Sequence, residues 1–180
     1  VTPYAGILVD INKYLSLYAS YTDIFKPSTN YDAAGILLDP AEGSNTEGGA
    51  KLAFFDNKLN VLATYYKTLQ DNVPEYVPNP NGGVNRGPTG KYVYAGIDGT
   101  KTTGYELEIS GQLTSNWEVG GGFSDTDPKD AKGKPRLTYI SQQTFKMFTH
   151  YQPSDWIEGL SIGGNLRWQE GTHSSSIDFS

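Results

Sequence analysis

Few residues of this sequence could carry out nucleophilic or acid–base chemistry. The 180-residue chain has no cysteine and only two histidines, His150 and His173. It also lacks the G-x-S-x-G and H-E-x-x-H motifs, in which a nucleophile or a metal ligand stands at a fixed spacing from its partners. Because catalysis needs such a constellation, the sequence indicates that the protein is not an enzyme.

Glu106 and Glu108 are the best candidates for a pair of catalytic carboxylates. They alternate with Leu107 along an extended segment, so both project from the same face. Carboxylates on the inner face of a β-barrel also serve as ordinary polar wall residues that face cations. Lys51, Lys146 and Arg167 are available as such partners. We therefore interpret the two glutamates as structural.

Three other sequence features could indicate a metal, phosphate or ligand site, but none of them predicts one. Residues 125–130 begin like a calcium-binding loop, but Asp130 replaces the glycine at its sixth position and Arg136 replaces the glutamate at its twelfth. The glycines 120–122 lie within a predicted strand, where close approach of a neighbour or a bend explains them better than a phosphate site. His150 lies on a polar strand face, and we interpret it as a solvated residue.

Five tyrosines on long loops are the candidate ligand-binding residues. Flat phenol rings suit an organic chelate, because they offer an apolar face and a hydrogen-bonding group. The alternative is that these side chains are simple spacers within the loops. The five candidates are Tyr31, Tyr76, Tyr92, Tyr94 and Tyr139.

Charge and hydropathy narrow the function classes. A nucleic-acid-binding surface needs clustered cations, whereas the net charge here is −6 and the 14 Lys and Arg residues are dispersed. Nucleic acid is therefore not expected as a partner. No window of about 18 apolar residues occurs, which excludes a transmembrane helix. The mean hydropathy of −0.49 does not exclude barrel strands, in which only alternate residues face lipid.

Alternation of apolar and polar residues predicts an all-β, antiparallel, up-and-down fold. Residues 15–22 and 105–110 each place apolar side chains on one face and polar side chains on the other. The 13 tyrosines and 21 glycines fit strands and turns better than helices. We predict about eight strands, near residues 3–11, 15–25, 44–55, 59–71, 101–113, 117–126, 142–152 and 160–170.

The connections between these strands alternate strictly between short and long. Short turns are predicted near 12–14, 56–58, 114–116 and 154–156, and long loops over 26–43, 72–100 and 127–141. A meander then gathers all short turns at one end, which is typical of outer-membrane barrels. Aromatic residues near the strand ends indicate two membrane girdles. They are Tyr14, Phe54, Phe55, Trp117 and Trp156 by the short turns, and Tyr21, Phe25, Tyr65, Tyr66, Phe123 and Trp168 toward the long loops.

At the level of sequence strings, the chain resembles the TonB-dependent siderophore receptors of bacterial outer membranes. Residues 16–27, SLYASYTDIFKP, match a strand of that family, and residues 104–108 and 163–168 continue the match in the same order. The resemblance covers nearly the whole chain apart from the loops. Thr46 and residues 141–143 depart from the family pattern, which affects the subfamily assignment only.

The resemblance implies a transmembrane barrel of about 22 strands that is plugged by a separate domain. Residues 1–180 would form one partial barrel domain, an internal fragment with the plug and the remaining strands outside it. The implied ligand is a ferric siderophore, so iron is bound through the chelator and no protein cofactor or metal site is expected. The other implied partners are outer-membrane lipid and the TonB complex, which acts through the plug.

Two alternatives remain open from the residues. A closed eight-stranded structural barrel would pair the first predicted strand with the last. A soluble β-sandwich binding module would bury apolar residues such as Leu107 and Ile109. For the receptor, we expect deletion of loop 72–100 in the full-length protein to weaken siderophore binding. We also expect the fragment alone not to insert stably in a membrane, because both of its edge strands would be open.

Overall fold

The computed structural model describes residues 2–137, 140–153 and 157–172, and it contains ten β-strands in these ranges. All eight predicted strands are confirmed, with boundaries that differ by no more than a few residues. The predicted turn at 154–156 and His173 lie outside the described residues. The strands are β1 (Tyr4–Asn12), β2 (Leu15–Lys26), β3 (Ala41–Phe54), β4 (Leu59–Asp71), β5 (Val73–Tyr76), β6 (Tyr94–Ile97), β7 (Thr100–Thr114), β8 (Trp117–Lys129), β9 (Gln143–Tyr151) and β10 (Ile162–Gln169).

Eight of these strands form one antiparallel sheet. Their order is β1-β2-β3-β4-β7-β8-β9-β10, so each strand pairs with its neighbours along the chain and the long loops lie at one end. Within the described ranges, β1 pairs only with β2 and β10 only with β9. The sheet is an open segment of wall, and the closed eight-stranded barrel is therefore wrong. No helix in the described part of the chain is long and apolar enough to cross a membrane.

The register gives the sheet an apolar face and a polar face. Leu107 lies opposite Ala63 on β4 and Phe123 on β8, whereas Glu106 lies opposite Thr64 and Ser124. Cross-strand partners share a face, so the predicted alternation is confirmed across the whole sheet.

The apolar face is exposed, which is the opposite of the burial expected in a soluble protein. Leu107 on the apolar face is 48% exposed, whereas Thr64 on the polar face is only 8% exposed. Leu17 and Leu166 on the apolar face are exposed as well. A sandwich would bury these residues in a core between two sheets, so the soluble alternative is wrong. An apolar outer face that lacks a protein partner fits a wall in contact with lipid.

Aromatic rings on the polar face lie over glycines of the adjacent strand. A Cβ built at Gly104 would lie 2.5 Å from the Tyr66 hydroxyl, and the Phe148 ring occupies the space beside Gly120. The first glycine of the run 120–122 therefore permits close approach, as its sequence position indicated. Tyr66 was predicted to join an outer girdle, but its hydroxyl hydrogen-bonds Thr126 on the polar face at 2.8 Å. The prediction missed that Tyr65 and Tyr66 must point in opposite directions.

The segment 72–100, predicted as a loop, contains the hairpin β5–β6. β4 ends at Asp71 and β5 begins at Val73, and the backbone turns sharply between them because Asn72 has a φ of 54°. On the return path Gly99 has a φ of 68° before β7 begins. The β4–β7 hairpin therefore continues beyond a kink as a small two-stranded sheet of its own.

Candidate ligand-binding loops

The base of the β5–β6 hairpin is held by two aspartates. Asp98 accepts a hydrogen bond from the Asn72 backbone N–H at 2.9 Å, and Asp71 accepts one from the Gly99 N–H at 2.6 Å. These carboxylates satisfy the backbone groups that the kink removes from the strand ladder. The hairpin consequently has a defined attachment to the wall.

Tyr76 brings three of the candidate tyrosines together on this hairpin. Its ring packs edge-on against Tyr92, with centroids 6.1 Å apart, and against Tyr94 at 6.0 Å. The Tyr76 hydroxyl also accepts a hydrogen bond from the Asn85 N–H at 2.8 Å. Edge-to-face packing of this kind fixes the rings relative to one another.

Tyr31 joins the same group from the β2–β3 loop. Its carbonyl accepts a hydrogen bond from the Tyr94 N–H at 2.9 Å, and its backbone forms a parallel bridge with Val93. Val93 is buried beneath this junction. The two loops therefore dock on each other, and Tyr31, Tyr76, Tyr92 and Tyr94 form one tyrosine cluster. The fifth candidate, Tyr139, lies outside the described residues.

Two cations that sequence reasoning missed belong to the cluster. The Arg86 guanidinium lies 4.6 Å from the centre of the Tyr92 ring, and the Lys91 ammonium lies 3.8 Å from the centre of the Tyr31 ring. Both side chains are exposed, so each can meet a ligand while it covers a ring face. In the sequence Lys91 directly precedes Tyr92, but this position does not predict its contact with Tyr31 on another loop.

A third loop, between β8 and β9, reaches the hairpin. Arg136 forms an ion pair with Glu75 on β5, with Nη2 and Oε2 2.7 Å apart. The carboxylate of Asp130 accepts hydrogen bonds from the backbone N–H groups of Lys132 and Lys134. These N–H groups, that of Lys134 above all, hold the pKa of Asp130 below its usual value. Asp130 thus closes a turn, and in the described ranges no cluster of residues could hold a metal ion.

Among the residues that the structure describes, neither Glu106 nor Glu108 forms an ion pair with the available cations Lys51, Lys146 or Arg167. All the ion pairs among the described residues lie in or beside the loops, at Lys129–Asp127 and Glu75–Arg136. The register explains this result for Glu108, because Leu62 separates it from Lys51 and Gly122 separates it from Lys146 on the same row of the sheet. An intervening strand adds about 5 Å to each separation.

Hydrogen bonds between side chains on the polar face link parts of the wall. Tyr18 donates a hydrogen bond to Glu47 at 2.8 Å, and its hydroxyl also lies 2.6 Å from that of Thr64. His150 hydrogen-bonds Ser161, a neighbour at the short-turn end of the wall. The Tyr18 contacts join β2 to β3 and, across β3, to β4, so they can hold the wall together.

Known proteins match the chain along nearly its full length. A family model described as TonB dependent receptor-like, beta-barrel matches residues 1–178. The ferric-pyoverdine 358 receptor of Pseudomonas putida is 39% identical over 171 residues, which are 93% of this chain and 20% of that protein. The ferripyoverdine receptor of Pseudomonas aeruginosa is 37% identical, with the same shares covered. The chain thus spans about a fifth of the length of these relatives.

Solved structures share the fold. The pyoverdine outer-membrane receptor FpvA of Pseudomonas aeruginosa, bound to pyoverdine, has a TM-score of 0.80 and 37% identity over 93% of this chain and 24% of its own. The alcaligin outer-membrane receptor FauA of Bordetella pertussis has a TM-score of 0.75 and 34% identity over 93% of this chain and 29% of its own. With its antiparallel wall, its apolar outer face and these matches, the chain belongs to the TonB-dependent receptor β-barrel family.

Proposed function

We propose that the chain supplies wall and loops to an outer-membrane receptor that takes up a ferric siderophore. The tyrosine cluster is the observation that carries the proposal. It places four aromatic rings and two cations on docked loops at one end of a membrane-facing sheet. Rings and cations in such an arrangement suit a ligand with flat aromatic parts and negative charge.

The chain is a protein of the bacterial outer membrane, as are the receptors of its family. Its apolar face would contact lipid, and the loop end would face the medium outside the cell. Uptake would be energised by the TonB complex through a plug domain, a partner that the resemblance implies. In this role the protein binds and transports, and it has no catalytic function.

The ligand class follows from the relatives and from the chemistry of the cluster. Several relatives are named as ferric-pyoverdine receptors, and we propose a ferric siderophore of this kind as the ligand. Iron would be held by the chelator, and the protein would recognise the organic ligand around it. No resident protein cofactor is needed for this function.

Substitution of the cluster tyrosines in the full-length receptor tests the proposal. We expect Tyr76→Ala combined with Tyr92→Ala to weaken the binding of ferripyoverdine to the purified receptor by about tenfold or more. Tyr14→Ala is the matched control, because Tyr14 is an exposed tyrosine at the short-turn end of the wall. Deletion of residues 73–98 should weaken binding further.

Equilibrium titration with ferripyoverdine, ferric alcaligin and ferrioxamine B gives the ligand class as well as the affinity. Binding of one of these with loss on substitution supports a siderophore receptor. Full affinity after both the double substitution and the deletion would show that the tyrosine cluster is not part of the binding site.

A further inference from the structure

The strand ladder of the wall does not continue through the kink into the β5–β6 hairpin. Strand pairing between β4 and β7 stops at Gln70 and Thr100, and pairing resumes at Val73 and Ile97 beyond the kink. Asn72 and Gly99, both with positive φ, lie between the two ladders. A break in a ladder is a place where a hairpin can bend, since a few residues there absorb the change in backbone angle.

Beyond the kink, the Glu75–Arg136 ion pair attaches the hairpin to the β8–β9 loop, in addition to the backbone contact of Tyr94 with Tyr31 of the β2–β3 loop. The Arg136 side chain is 15% exposed and the Glu75 side chain 51% exposed, so the guanidinium is largely withdrawn from water. An arginine in this setting loses much of its hydration, and the carboxylate at 2.7 Å replaces it. The contact therefore favours one relative placement of the hairpin and the β8–β9 loop.

The β8–β9 loop is a firm support for Arg136. The Arg136 N–H donates to the Pro128 carbonyl at 2.8 Å, and the Asp130 N–H donates to the Lys134 carbonyl at 3.0 Å. Residues 128–136 thus form a closed turn that continues β8. A Cβ built at Gly99 would lie 3.0 Å from the Cβ of Ala131, so this turn also packs against the kink.

Glu75 lies next to Tyr76, the central ring of the tyrosine cluster. We propose that Glu75 and Arg136 are positioning residues, whose ion pair sets the tilt of the β5–β6 hairpin and so presents the tyrosine cluster to the ligand. Neither residue needs to touch the ligand for this effect. The inference rests on the proposed function for its consequence in binding, but the tilt itself can be measured without a ligand.

Charge reversal in the full-length receptor tests the binding consequence. Glu75→Arg and Arg136→Glu should each raise the dissociation constant for ferripyoverdine about fivefold, and the double variant should restore most of the affinity. Lys132→Glu is the matched control, because it makes the same charge change in the same turn at an exposed position. It should bind like the unmodified receptor. This result would distinguish the effect of the ion pair from a general attraction between loop cations and an anionic ligand.

Spin labels on Asn81→Cys and Lys134→Cys report the tilt in the ligand-free receptor. We expect a narrow distance distribution that broadens with Arg136→Glu and narrows again when Glu75→Arg is added. An unchanged distance distribution in the Arg136→Glu variant would overturn the inference. So would a double variant that binds no more tightly, and shows no narrower distance distribution, than either single variant. A receptor that shows this pattern of distances but binds no ferric siderophore would refute the proposed function and leave the positioning pair established.

Discussion

At the scale of single residues, the polar face is built from rings that fit onto glycines. Tyr66 lies over Gly104 and reaches Thr126 two strands away, and Tyr18 lies over Gly49 and reaches Glu47 and Thr64. Each tyrosine joins strands through its hydroxyl while its ring fills the space that the missing side chain leaves. This fit requires glycine because a Cβ and the ring cannot occupy the same volume.

Gly104→Ala should destabilise the receptor for this reason. The new methyl group would meet the Tyr66 ring at 2.6 Å and the Asp125 carbonyl at 2.5 Å, so the ring must move and the hydrogen bond to Thr126 is disturbed. We expect a loss of about 1–3 kcal/mol in the free energy of unfolding, measured by denaturant titration of the purified receptor in detergent. Gly48→Ala on β3 is the control, because β3 is paired on both sides and only the Tyr18 carbonyl oxygen lies within 4 Å of the Cβ position, at 3.6 Å. Equal stability of the two variants would show that the Tyr66 ring does not require glycine at position 104.

The identity of single site residues could be predicted only in part. Tyrosine on a long loop is a visible signal, and Tyr31, Tyr76, Tyr92 and Tyr94 do come together. Arg86 and Arg136 gave no such signal, because their contacts depend on how separate segments dock in space. Glu108 shares a face with Lys51 and Lys146, as alternation indicates, but it does not pair with them because an ion pair also requires adjacent strands.

At the scale of strands, period-two alternation proved sufficient to find the wall. Residues that alternate must place one set toward lipid and one away from it, and register follows once the short turns are fixed. The β5–β6 hairpin was missed because Pro74, Pro78 and Pro80 argue against a strand. Pro74 is nevertheless paired, opposite Gly96, in a strand of only four residues.

Charge placed on the apolar face of β7 should be costly. Leu107→Arg puts a guanidinium in the middle of the strand on the side that faces lipid, and we expect a loss of about 2–4 kcal/mol in the free energy of folding into bilayers. Ser110→Arg on the polar face of the same strand should cost much less. Folding titrations in lipid vesicles measure both. A similar cost for the two variants would mean that the apolar face does not contact lipid.

At the scale of the whole molecule, the sheet has two free edges. Within the described residues, the outer sides of β1 and β10 present backbone N–H and C=O groups that no strand satisfies. Hydrocarbon cannot hydrogen-bond these groups, and each that stays unpaired costs several kcal/mol in lipid. The described segment of wall is therefore suited to have further strands as neighbours.

The isolated chain of residues 1–180 should accordingly fail to insert stably into lipid vesicles. We expect it to remain accessible to added protease, whereas the full-length receptor becomes protected under the same conditions. Protease digestion followed by gel electrophoresis measures the difference. A protected monomer of the isolated chain would show that the edges find partners within it.

The kink at Asn72 and Gly99 also separates a long strand ladder from a short one. The ladder between β4 and β7 continues without interruption for twelve residue pairs, while the β5–β6 ladder has four. Opening of a long ladder requires cooperative loss of many hydrogen bonds, whereas a short one opens locally at small cost in free energy. The hairpin should thus open locally at a smaller cost in free energy than the wall. In the proposed receptor, the loops would therefore adjust around a ligand while the strands of the wall stay paired.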